Sequence, residues 1–141
     1  MLWQVVIAFG ALLLAGACHF AILSKSHRYL VKSQMPEIAR FLVMLSAATV
    51  GQMLSAAWFA VSFRISSEAG LGGFEIEGQI SWMDTYYFSL VNLTTLGLGD
   101  IVPTGHLKFL AGIEAMTGFL LISCSASHIF MIMKMEGYDY E

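Results

Sequence analysis

Thr95-Leu96-Gly97-Leu98-Gly99-Asp100 alternates bulky residues with glycines, directly after a second threonine, Thr94. The chemistry open to such a stretch is coordination by the backbone itself. A cation that sheds its water needs oxygen ligands, and successive carbonyls supply them when they point to one side. Doing so takes unusual backbone angles, which Gly97 and Gly99 reach without a Cβ penalty. The Thr95 hydroxyl adds one more oxygen. Thr95, Leu96, Gly97, Leu98 and Gly99 are therefore the candidate ion-binding residues.

Such a backbone needs elements to hold it, and composition says where they lie. Of 141 residues, 57% are hydrophobic and 12% charged, and mean hydropathy is +0.72. Soluble domains carry roughly 25% charged residues. Three stretches, 2–23, 38–63 and 106–133, reach the ~20 apolar residues that cross a bilayer. A fourth, 82–94, is about half that length and enters a membrane without crossing it. Ser81-Trp82-Met83-Asp84 has the spacing of a capping box that starts this half-helix. Its C-terminal end falls near Thr94, where the helix dipole favours a cation. Irregular backbone at membrane depth must be covered by protein or line a cavity. The sequence therefore predicts an all-α membrane protein with a re-entrant helix and loop.

Basic residues set the expected orientation. Lys25, Arg28, Lys32 and Arg40 lie in or beside the first connection and Lys134 follows the last span. The 64–105 side collects Glu68, Glu75, Glu77, Asp84 and Asp100. The positive-inside rule puts residues 24–37 and the C-terminus in the cytoplasm, with the N-terminus outside. The first span lacks the positive n-region of a signal peptide and reads as a retained helix. Cys18 and Cys124 both lie in apolar spans, which argues against a disulfide framework.

The stretch YYFSLVNLTTLGLGDIVPTGHLKFLAGIEAMTG resembles the pore region of tetrameric potassium channels, especially small bacterial ones. The likeness covers roughly residues 82–130: aromatic half-helix, T-T-x-G-x-G-D, Pro103 and a following helix occur in order. It implies an outer helix at 38–63, an outer loop at 64–81, a pore helix at 82–94, a filter at 95–100 and an inner helix at 106–133. It also implies K+ as the permeant ion, held at Thr95, Leu96, Gly97 and Leu98, and three further copies of the chain around one axis. Two positions depart from the family. Leu98 replaces the usual filter aromatic, as in some two-pore-domain potassium channels. Val91 stands where some members place a carboxylate. Leu98 is expected to point into the pore helix around Tyr87 and Phe88.

Further residues have two readings each. Asn92 bonds to filter backbone or serves helix packing. Thr94 and Asp100 flank the filter and are grouped with it as support. Glu114, a costly carboxylate inside a span, braces the filter region through Ser89 or senses protons. Gly118 is the family's inner-helix hinge, or a small residue that lets helices approach. Phe119, Ile122, Ala126 and Phe130 share a helical face and are the expected inner pore wall. His106 and His128 sit near the membrane edges without a specific role, and the nine methionines read as packing.

No nucleophile constellation, phosphate loop, metal-ligand cluster or arginine-repeat span occurs, so the expectation is a channel and not an enzyme. Nucleic acid is not an expected partner. Lys25, Arg28 and Lys32 offer a site for anionic lipid. The expected architecture is 1–37 as an extra N-terminal helix and basic connection, 38–134 as pore domain, and 135–141 as a short cytoplasmic tail. The expected setting is a bacterial inner membrane. A potassium-selective channel is the leading reading; a non-selective cation channel and a non-conducting membrane subunit are the alternatives.

Overall fold

The computed structural model describes residues 2–76 and 78–134. Glu77 and the 135–141 tail lie outside the described residues. Four helices follow in order: α1 (Leu2–Val31), α2 (Glu37–Glu68), α3 (Trp82–Leu93) and α4 (Leu107–Lys134). Three of them, α1, α2 and α4, are long and apolar enough to cross a membrane. The short α3 is not, as its length requires.

Helix α1 runs eight residues past the apolar stretch and carries Lys25 and Arg28 on its last turns. Nothing in "SKSHRYLV" breaks a helix, and the chain only turns before Pro36. The connection to α2 is correspondingly short. Along α1 the buried positions are Gln4, Ala8, Ala11, Ala15, His19, Leu23 and Leu30, a stripe at helical spacing. Its alanines let α1 lie close against α2 and α4, the way small residues pack membrane helices.

The loop between α2 and α3 is not loose. Phe74–Glu75 (β1) pairs antiparallel with Val102–Pro103 (β2), with Phe74 opposite Pro103. Thr104 N–H donates to the Gly73 carbonyl at 2.8 Å, and His106 N–H to Leu71 O at 2.8 Å. Phe63, Phe74 and Phe88 meet with ring centroids 5.1–5.6 Å apart, tying α2, β1 and α3 together. A second apolar cluster, with Leu23, Leu30, Met44, Ala48 and Ile132, closes the opposite end of the bundle.

Candidate functional site

Ser81 starts α3 as a true capping box. Its hydroxyl accepts from Asp84 N–H at 3.1 Å, and Asp84 Oδ2 accepts from Ser81 N–H at 2.8 Å. Hydrogen bonding from the Ser81 side chain, then from its backbone N–H, holds the Asp84 carboxyl below its usual range. At the other end the helix gives way to the 95–99 segment through its own last carbonyls. Thr94 N–H donates to Leu90 O, Thr95 N–H to Asn92 O at 2.9 Å, and Leu96 N–H to Val91 O at 3.0 Å. The Thr94 hydroxyl also turns back, to Leu90 O and Val91 O. The donors of the segment thus face the helix end.

The acceptors do not. Among the described residues, no hydrogen bond reaches a carbonyl oxygen of Thr95, Leu96, Gly97, Leu98 or Gly99. The backbone explains why. Thr95 (φ 60°), Gly97 (φ 56°) and Gly99 (φ 80°) are left-handed, while Leu96 and Leu98 between them are not. Alternating hands turn consecutive carbonyls to the same side of an extended ribbon. The glycines accept this cheaply; Thr95, β-branched, does so under strain. The sequence pointed to Gly97 and Gly99 but not to the strain at Thr95. Residues 94–100 are all exposed on the single chain.

Beyond the ribbon, Asp100 accepts from Ile101 N–H at 3.1 Å. Its carboxylate also engages the Tyr87 hydroxyl, which raises the Tyr87 pKa above the ordinary phenol value. Sequence reasoning missed Tyr87 as a support residue; its signal was a phenol in an apolar helix, thirteen residues before an acid. Leu98 shares a cavity with Phe88, one of the two residues it was expected to face. That cavity, of about 230 Å³, is also lined by Val91, Asn92 and Ala111.

Behind the ribbon sits a buried polar cluster. Glu114 is fully buried on α4 and meets the Ser89 hydroxyl. Asn92 does not reach filter backbone: its Nδ2 donates to Glu114 Oε2 at 2.6 Å and to Ala111 O at 2.9 Å. The reason is position, since Asn92 lies on the α4 side of α3. Ser89 owns one proton but faces two acceptors, Glu114 Oε1 and the Ala56 carbonyl at 2.7 Å. The inventory closes when Glu114 carries a proton and donates to Ser89, which donates to Ala56. Glu114→Gln keeps one acceptor and one donor there, so assembly and flux should stay close to wild type. Glu114→Leu leaves Asn92 and Ser89 short of partners, at a cost of about 1–3 kcal/mol. Infrared spectra should show a protonated-carboxyl band that Glu114→Gln removes; the absence of that band from wild type would refute the proton assignment.

Gly118 lies where α4 crosses the end of α3. A Cβ there would run into the Leu93 carbonyl. Phe119, Ile122, Ala126 and Phe130 are exposed on α4, away from its buried face of Glu114, Gly118, Ser125 and Ile132. His106 is exposed, and His128 Nδ1–H donates to the Cys124 carbonyl at 3.0 Å. Cys18 and Cys124 are both free thiols.

A family model described as "Ion channel" matches residues 39–135, from the first turn of α2 past the end of α4, and leaves α1 outside. No curated protein and no solved structure matches the chain.

Proposed function

Since the chain belongs to that ion channel family, we propose that four copies of it form a potassium-selective pore in which residues 95–99 are the filter. One observation carries this reading: a row of five carbonyls without donors, on a backbone of alternating hand. Polar backbone inside a membrane must find a partner, and a dehydrated K+ is one that carbonyl oxygens fit. A single strand surrounds nothing, so the site requires further copies arranged about an axis. The exposed filter and the exposed face through Phe119, Ile122, Ala126 and Phe130 are the surfaces such an assembly uses as pore wall. The C-terminal end of α3 adds its partial negative charge beneath the ion. Asn92, Thr94, Asp100 and Glu114 serve as filter support, and Gly118, where the inner helix crosses Leu93 of α3, is its hinge or its packing contact.

In this reading Lys25, Arg28, Lys32, Arg40 and Lys134 mark the cytoplasmic end, and α3 enters from outside. The exposed Lys25, Arg28 and Lys32 at the end of α1 suit the phosphates of anionic lipid. In mild detergent the purified protein should have the mass of four chains, and in liposomes it should pass K+. A fully active monodisperse dimer would rule out the four-strand filter, and an inert tetramer would favour a non-conducting subunit.

A non-selective cation pore is favoured by one feature, Leu98, which is 58% exposed and has no hydroxyl to anchor the ribbon. Such an anchor contributes about 0.5–1.5 kcal/mol. Leu98→Tyr is accordingly expected to raise the K+-to-Na+ permeability ratio or lengthen open periods, because the cavity beside Phe88 and Val91 has room for more side chain. Unchanged ratio and lifetimes would mean that apolar packing is enough.

A further inference from the structure

Helix α1 lies outside the family match, yet it reaches the inner helix through a buried side-chain hydrogen bond. His19 is fully buried at the junction of α1, α2 and α4. Its Nε2 lies 2.8 Å from Ser125 Oγ on α4. Ser125 spends its own proton on the Leu121 carbonyl at 2.8 Å, so Ser125 accepts and His19 Nε2–H donates. The imidazole is then the Nε2–H tautomer. Its Nδ1 has no partner and faces Gly51 of α2, whose missing Cβ makes room for the ring. Gly51 in turn anchors Ser55, whose hydroxyl donates to Gly51 O at 2.8 Å.

We propose that His19 is a positioning residue for the pore: its bond to Ser125 makes α1 a strap that holds the inner helix in one of its gating states. This rests on the pore reading above. Helix α4 is fixed at two levels on one face. Near the filter, Glu114 and Gly118 pin it to α3; farther along, Ser125 pins it to α1. A separate, exposed face between those levels carries Phe119, Ile122 and Ala126, the pore-wall side chains of the proposed assembly. Any swing of the inner helix about the upper level must carry Ser125 away from His19 and break the bond. The bond therefore biases the equilibrium between the position seen here and any swung one. A merely lipid-facing α1 would need only its alanine stripe, and would have no use for a buried imidazole aimed at α4.

Single-channel recording of the full-length protein in planar bilayers tests the strap. The variants are His19→Phe, Ser125→Ala, their double, His19→Gln and His19→Asn, each first shown to have the wild-type oligomeric mass. His19→Phe and Ser125→Ala should each shift the ratio of open to closed time in the same direction, by roughly three- to tenfold per bond broken. The double variant should shift it no further, because both changes remove one interaction. Glutamine places its amide nitrogen where Nε2 sits and should restore the wild-type ratio, whereas asparagine, which mimics Nδ1, should not. Additive shifts, wild-type gating in His19→Phe, or equal rescue by glutamine and asparagine would overturn the strap while leaving the pore intact. A wild-type protein without current would defeat the pore reading and the strap together.

Discussion

Gly97→Ala is expected to abolish potassium-selective flux while leaving the helices folded. The cause is conformational and not steric. Within the chain, a Cβ at Gly97 would meet no atom within 4 Å, but the residue sits at φ +56°. A left-handed conformation costs an L-residue about 1–2 kcal/mol, and four copies around one axis would raise that to about 4–8 kcal/mol. At about 1.4 kcal/mol per factor of ten, the alternating ribbon falls roughly 10³- to 10⁶-fold in population. Thr95, already left-handed at φ 60°, leaves the segment little reserve for a second strained residue. Liposome K+ flux measured beside tetramer yield separates loss of the ribbon from loss of the fold. Wild-type flux in Gly97→Ala would mean that the alternating backbone is not what conducts.

Gly118→Ala should act at an earlier stage, by preventing α4 from seating on α3. The added carbon would overlap the Leu93 carbonyl, and that atom is backbone at the end of α3 with no rotamer to escape into. Overpacking of this kind typically costs 1–3 kcal/mol, occasionally more. The control is Gly112→Ala on the same helix, where a Cβ meets nothing within 4 Å. The expected contrast is a sharply lower yield and unfolding temperature for Gly118→Ala, with Gly112→Ala at or slightly above wild type. If Gly118→Ala assembles normally and alters only open time, Gly118 serves as a hinge and not as a contact. The two readings of this glycine left open by the sequence thus lead to different measurements.

The parts of the fold carried by periodicity and length were legible in the sequence. Three apolar runs became three spanning helices, a run too short to cross became α3, and Ser81 and Asp84 marked its start. The alternation of glycine with leucine located the ribbon because only φ-permissive residues suit it. What the sequence withheld depends on partners far apart along the chain. Asn92 reads equally well as a filter ligand or a packing residue until α4 is beside it, and then Glu114 and Ala111 O claim both of its N–H groups. Tyr87 and Asp100, thirteen residues apart, influence each other only when the ribbon returns beside α3. The strand pair Phe74–Glu75 with Val102–Pro103 is two residues long on each side, below the length at which alternation can signal a strand. His19 on an apolar helix gave no sign of Ser125, more than a hundred residues away. Conversely, the helical end of α1 needed no tertiary information: its basic residues are good helix formers, and the chain carries no breaker before Pro36.

The most direct test of the central claim is the reversal potential of the wild-type protein in a planar bilayer with K+ on one side and Na+ on the other. A four-strand carbonyl filter formed by Thr95 to Gly99 should drive the reversal potential strongly towards the K+ equilibrium value. A stable current reversing near zero would contradict potassium selectivity and leave a non-selective cation pore.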